Sequence, residues 1–258
     1  MTVRVYTIAS GKGGTGKTTT TLNLGTALAM LGKKTIIIDA DIGMANLGLM
    51  LGLEKSKVTL HEVLSGEAEI KDATYSGPSG LLVVPSGLTL KGFQKANPDM
   101  LKKVVSSLTD GMDYVLIDAP AGISKDGLIP LTIADRILLV VNPELSSMAD
   151  ALKIKTLAEL LGKSVEGVIL NRAELDKTEI SRNKVSELLG VGVIEMIPED
   201  VNVRRSAAFK APVVVRAPKS PASIAFKRLA AKITGEKFTE SKKEGFVDRL
   251  TRSIFGGK

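Results

Sequence analysis

The 258-residue chain has no cysteine and no tryptophan, and its one histidine is His61. Without cysteine there is no disulfide, thiolate metal site, iron–sulfur cluster or cysteine nucleophile. One histidine leaves no multi-histidine metal site and argues against a serine–histidine triad; in "TLHEVLSG" it reads as a structural or surface residue. Aromatic residues make up only 3 % of the chain, so aliphatic packing must dominate, which suits a buried parallel sheet. No apolar run reaches the roughly 20 residues of a membrane span. The N-terminus, "MTVRVYTIASGKGG", runs straight into a strand and lacks the basic-then-apolar start of a signal peptide. The expected location is the cytoplasm. What is present is ordinary for a globular protein: 44 % hydrophobic and 24 % charged residues.

Short β-branched runs alternate with segments of helical period. Strands are expected at Arg4–Ser10, Thr35–Ala40, Leu81–Gly87, Tyr114–Pro120, Arg136–Asn142, Val165–Asn171, Val193–Pro198 and Val213–Arg216. Helices are expected at Lys17–Leu31, Pro98–Leu108, Ser146–Leu161, Thr178–Leu189 and Ser220–Ile233. This alternation predicts an α/β fold: a single doubly wound, mainly parallel sheet of seven to eight strands flanked by helices. A polar, turn-rich stretch follows Ile233. The expected organisation is therefore a globular domain over 1–234, a flexible linker over 235–244 and a short amphipathic C-terminal helix over 245–258.

Gly11–Thr18 reads G-K-G-G-T-G-K-T, which satisfies G-x-x-x-x-G-K-[ST] between a strand and a helix. In such a loop Gly11, Gly13, Gly14, Thr15 and Gly16 let the backbone wrap an anion. The N–H groups of the loop and of the helix start, through Thr19, point at phosphate. Lys17 should reach the β- and γ-phosphates, and the Thr18 hydroxyl should bind Mg²⁺. Downstream, "YVLIDAP" ends a hydrophobic strand in Asp118, a carboxylate suited to holding Mg²⁺ directly or through water. A second strand ends in "DADIG", which offers Asp39 and Asp41. Doubly wound folds place ligand contacts at such strand ends, and Asp39 has the alternative of a structural carboxylate that caps the strand.

Lys12 is a second lysine where such a loop needs one, and its plainest reading is a solvent-facing loop residue. With Lys12, the "KGGTGKT" box resembles the deviant Walker A box of the ATPase family that contains MinD, ParA and the nitrogenase iron protein. The resemblance extends over nearly the whole chain and implies a P-loop NTPase fold of the SIMIBI-like kind, ATP and ADP as ligands, Mg²⁺ as cofactor and ATP hydrolysis. It gives Lys12 a role across an ATP-dependent homodimer, where it touches the partner's phosphates as an arginine finger does. It gives Asp41 the orientation of the attacking water or of the Mg²⁺ shell. Asp150, in "VVNPELSSMADALK", is implied to lie near Lys12 at the dimer contact; its alternative is a favourable charge at a helix start. Asn171 and Arg172 in "ILNR", and Pro198, Glu199 and Asp200 in "IPED", resemble the family's base-recognition strand ends and favour ATP over GTP.

The cysteine-dependent branches of the family are excluded, which leaves MinD-like and ParA-like readings. In "EGFVDRLTRSIFGGK", Phe246, Leu250 and Ile254 recur at i, i+4 and i+8, with Val247 and Phe255 beside them and basic residues around. This resembles the membrane-targeting helix that ends MinD proteins and implies peripheral binding to the anionic inner face of the cell membrane; a helix docked on its own domain is the other reading. Residues 201–232 carry eight Lys or Arg and no acidic residue, a basic stretch that attracts lipid or DNA alike. The preferred function is a MinD-like switch that positions cell-division or other polar machinery and is reset by slow hydrolysis with an unidentified activator protein. The alternative is a ParA-like partition ATPase that binds duplex DNA through 201–232.

Overall fold

The computed structural model describes residues 3–173 and 180–239. Eight strands form one sheet: β1 (Arg4–Ala9), β2 (Thr35–Asp39), β3 (Tyr75–Ser76), β4 (Leu82–Val84), β5 (Tyr114–Asp118), β6 (Arg136–Val141), β7 (Ser164–Ala173) and β8 (Val193–Pro198). Their spatial order is β3-β4-β2-β5-β1-β6-β7-β8. Every pairing is parallel except β3 with β4.

The strands are apolar throughout because helices cover both faces. Side chains alternate between two layers of core. Tyr6, Ile8, Ile37, Leu116, Leu138 and Val140 pack under Leu24 and Leu28 of the Lys17–Met30 helix and Phe226 and Leu229 of the Pro221–Thr234 helix. Val115 and Ile117 face the opposite way, onto Leu101 and Val104. Ile137, Leu139 and Val141 join them on that face, against Met148 and Ile154.

The eight-stranded count agrees with expectation, but one strand is not the expected one. Val213–Arg216 is a short helix. Pro212 accepts from the N–H groups of Val215 and Arg216, Val213 accepts from Ala217, and the Asn23 amide oxygen accepts from Val214 N–H. Those bonds and the burial of Val213 and Val214 override the β-propensity of a valine triplet. The eighth strand is instead β3, the antiparallel edge. The helix expected from Thr178 spans Arg182–Leu189, capped by the Ser181 side chain, and residues 174–179 lie outside the described residues. The tail calls, Phe246, Val247, Leu250, Ile254 and Phe255, likewise fall outside them, as does the second half of the linker, 240–244. Among the described residues no helix is long and apolar enough to cross a membrane.

Candidate nucleotide and magnesium site

Parallel strands deliver their C-terminal ends to one edge, and the singled-out residues of the described chain collect there. The loop Ser10–Gly16 follows β1; Asp39 and Asp118 end β2 and β5; Glu144 follows β6; Asn171 and Arg172 end β7; Pro198 ends β8.

Gly16 precedes the Lys17–Met30 helix at φ 93°, a left-handed conformation that favours glycine, and no side chain caps the helix. The first N–H groups of that helix therefore remain available to an anion. Gly11 has a different reason to be glycine: a Cβ there would stand 2.3–2.5 Å from the Asp150 backbone and side chain. The Ser10 hydroxyl donates to the Lys12 carbonyl at 2.9 Å and pins the loop from inside. A cleft lined by Gly13, Gly14, Gly16, Lys17, Thr18 and Thr19 also takes in Asp41 and Ala121.

The two lysines part company. Lys17 is buried, and its charge is felt by Asp41 and Asp118. Lys12 lies at the rim with its side chain 33 % exposed, where its Nζ donates to Glu144 Oε2 at 2.6 Å and to Ser146 Oγ at 3.2 Å. That contact holds the Glu144 carboxyl below its ordinary range. Within one chain, then, the acid beside Lys12 is Glu144, while Asp150 pairs with Lys153 at 2.9 Å.

The three aspartates have separate environments. Asp39 and Asp118 are opposite one another in the β2–β5 register and both are buried. Asp39 accepts from the backbone N–H groups of Asp41, Asn46 and Leu47 at 3.1–3.2 Å, so it anchors the whole loop after β2. Burial, then the Asp118 charge, drive its pKa well up. Asp118 is pushed up to about 6 by burial, against the pull of Lys17 and hydrogen bonds from Thr18 and Thr21. Asp41 is half-buried and also raised by burial, with Met44 N–H and Lys17 opposing. Thr21 was not singled out from sequence. It lies one helical turn after Lys17, and its hydroxyl lies 3.1 Å from Asp118 Oδ1 and 3.0 Å from the Lys17 carbonyl.

Mg²⁺ prefers one or two protein oxygens, with phosphates and water completing its shell. The donor set fits that habit. The Thr18 hydroxyl bonds the Asp118 carboxylate, and burial keeps that carboxylate in want of a cation. Among the described residues no group of three His or acidic side chains could form an all-protein cage.

Beside the phosphate cleft is a second hollow, lined by Thr19, Asn171, Arg172, Pro198, Glu199 and Asp200. Asn171 Nδ2 donates to the Thr15 carbonyl at 2.7 Å, which ties this hollow to the phosphate loop. Arg172 has φ 54°, an unusual left-handed conformation for a non-glycine residue, and its Nε is 3.8 Å from Glu199 Oε2. Asp200 has a framework task as well: it accepts from Asn202 N–H at 2.9 Å and from Ala222 N–H at 3.2 Å, bracketing the starts of two helices.

Comparison with known proteins agrees with this architecture. Residues 6–213 match the CobQ/CobB/MinD/ParA nucleotide binding domain. An uncharacterized ATP-binding protein of Methanocaldococcus jannaschii is 47 % identical over 252 residues, 96 % of each chain. The crystal structure of the cell division ATPase MinD of Pyrococcus furiosus superposes with a TM-score of 0.87 at 38 % identity, covering 90 % of this chain and 98 % of that one. The septum site-determining protein MinD of Pyrococcus horikoshii, solved in complex with Mg-ADP, gives 0.86 at 34 % identity over 95 % and 98 %. With a phosphate loop, two strand-end carboxylates and a rim lysine on one sheet edge, this chain belongs to the CobQ/CobB/MinD/ParA nucleotide-binding family and is similar over its length to the MinD cell-division ATPases.

Proposed function

We propose that the chain is an ATP-operated dimerisation switch of the MinD kind, with the membrane as its readout and hydrolysis as its reset. The observation that supports the reading is the division between the lysines: Lys17 is buried and lines the loop cleft, while Lys12 stands at its rim, one-third exposed and paired with Glu144, where a second copy can face it. Met44, Ile123 and Leu145 support it. These three large apolar side chains are exposed, Met44 and Ile123 on the loops after β2 and β5 and Leu145 at the start of the helix that follows β6.

In this reading Lys17 and the loop N–H groups hold the β- and γ-phosphates. The Thr18 hydroxyl and Asp118 hold Mg²⁺, which neutralises charge on the phosphate oxygens. Asp41, on a loop fixed by Asp39, orients the attacking water. Lys12 leaves Glu144 and meets the partner's γ-phosphate, adding positive charge where the transferring group needs it. The base occupies the hollow at the ends of β7 and β8. The Asn171 amide has its Nδ2 committed to Thr15, so Oδ1 is left to accept from an exocyclic amine, which adenine has and guanine lacks at that position.

The DNA reading draws less support. Of the eight basic residues in 201–232, Lys210 pairs with Glu54, Arg228 and Lys232 with Glu195, and Arg216 stacks on Phe209. Lys227 donates to the Pro218 carbonyl at 2.9 Å, so five of the eight are committed within the fold.

The test is Lys12→Ala. It should keep nucleotide affinity, because Lys17 and the loop backbone remain, and lose ATP-dependent dimerisation and turnover, the latter by about 10³-fold or more. Turnover at the wild-type rate would rule out the role across the dimer.

A further inference from the structure

The single histidine of the chain is buried. His61 is 1 % exposed, in the Leu60–Leu64 helix, and none of the phosphate chemistry above uses it. Its Nε2 lies 3.0 Å from the Ile42 carbonyl oxygen. A carbonyl can only accept, so Nε2 carries a proton and donates, and Nδ1 is left as an acceptor. Nδ1 is buried and takes no hydrogen bond from the described residues. An unmet buried acceptor costs stability, a cost that an apolar side chain of similar size would avoid. The histidine is thus a poor choice for packing alone, and its side-chain bond goes to the residue that follows Asp41.

The surroundings are shaped to hold the ring in place. A Cβ on Gly87 would stand 2.4 Å from Nδ1, and one on Gly92 would stand 2.8 Å from it. Neither glycine has a positive φ, so close packing, chiefly against the ring, and not a turn conformation keeps both positions free of a side chain. The helix that carries the ring is firmly seated. Thr59 and Glu62 form its capping box, and Leu60 N–H donates to the carbonyl of Pro85, just past β4, at 2.9 Å. Leu60 and Leu64 share a core with Ile36, Ile38 and Ile42.

The acceptor belongs to the loop after β2. Asp41 N–H donates to Asp39 Oδ1 at 3.2 Å, and Asp41 Oδ1 in turn accepts from Met44 N–H at 3.0 Å. The second bond requires the Ile42–Gly43 peptide, which lies between Asp41 and Met44, to keep its orientation. That peptide carries the carbonyl to which His61 donates. On the reading that Asp41 orients the attacking water, we infer that His61 is a positioning residue for hydrolysis: its Nε2–H fixes the Ile42–Gly43 peptide and with it the aim of the Asp41 carboxylate.

The test sets His61→Leu beside His61→Gln in single-turnover phosphate release at saturating ATP and Mg²⁺. A glutamine Nε2 can stand close to where the imidazole Nε2 stands and keep the donor, whereas leucine keeps only bulk. His61→Leu should slow release by on the order of 10–10²-fold with ATP affinity and ATP-dependent dimer fraction near wild type, and His61→Gln should restore most of the rate. In an Asp41→Ala background His61→Leu should cost nothing further, since the group it aims is gone. Histidine ¹⁵N NMR of the full-length wild-type chain should show a proton on Nε2 of the one imidazole, a readout that needs no variant to fold. Release by His61→Leu at the wild-type rate overturns the inference. So does a further loss in the Asp41→Ala background, or a tautomer protonated only at Nδ1. Equal loss of rate and of ATP affinity in both His61 variants also overturns it, because a merely structural residue behaves that way. Asp41→Ala that hydrolyses at the wild-type rate would instead remove the reading of Asp41, and this inference with it, so the two failures are told apart.

Discussion

At the scale of single residues, the site depends on neighbouring groups of similar chemistry having different surroundings. Asp39 and Asp41 are two positions apart, yet Asp39 is fully enclosed by three backbone N–H groups while Asp41 borders the phosphate cleft. Asp41→Ala should therefore bind ATP and dimerise but hydrolyse it poorly, by at least about 10²-fold if it positions the water. Dimer fraction and phosphate release measured together check this; lost ATP binding would move Asp41 to the Mg²⁺ shell. Thr21→Val removes the hydroxyl that steadies Asp118 and should weaken Mg²⁺-dependent nucleotide binding while leaving Mg²⁺-free binding near wild type, as paired titrations would show. The phosphate loop was legible in sequence because its spacing is a backbone requirement. Glu144 was not. Unlike Asp39 and Asp118 it lies past its strand, three residues beyond β6 at the N-cap of the Leu145–Leu160 helix, and only packing of the segment after β6 against the P-loop brings it to Lys12.

At the scale of elements, the parallel strands were legible because burial on both faces makes them apolar throughout. The Val213–Arg216 helix was not, since four residues are too few for a period to show and its bonds come from Pro212 and the distant Asn23. The short helices Leu47–Leu51, Leu60–Leu64 and Leu90–Lys95 escaped for the same reason of length. Asp200 shows one residue serving two elements, as N-cap of the Val201–Ala208 helix and acceptor for Ala222 in the Pro221–Thr234 helix. Asp200→Ala should destabilise the fold by about 1–2 kcal/mol at neutral pH in denaturant titrations. Burial pushes this carboxyl up, but hydrogen bonds from Asn202, Ser220 and Ala222 outweigh it and hold the pKa below the ordinary value of 3.8. A lowered folded pKa gives stability that is present above 3.8 and lost as pH falls through the folded value, so wild type and variant should converge below about pH 4.

At the scale of the whole molecule, the sheet edge and the C-terminal segment must act together if nucleotide state is to be read at a membrane. The described chain runs to residue 239, past the Pro221–Thr234 helix and its Gly235 cap. Beyond it the sequence alone supplies Phe246, Val247, Leu250 and Ile254 on one helical face, with Arg249 and Arg252 nearby. Burying such side chains in lipid stabilises by on the order of 1.5–3 kcal/mol each, offset in large part by ordering a helix too short to stand alone in water. Each basic residue near an anionic surface adds roughly 1 kcal/mol. One tail should bind marginally. Two tails on one dimer gain from effective concentration and can hold about 10²–10⁴-fold more tightly without any new contact. In the proposed reading, dimerisation through Lys12 would become attachment and hydrolysis would become release. Deleting residues 245–258 should abolish sedimentation with anionic vesicles in ATP while leaving nucleotide affinity unchanged, and Ile254→Glu should come close to the same loss. Attachment that survives the deletion would assign the lipid contact to the uncommitted basic residues of 201–232, Arg204, Arg205 and Lys219. Attachment equal in ATP and ADP would show that the tail anchors the protein without reporting on its nucleotide.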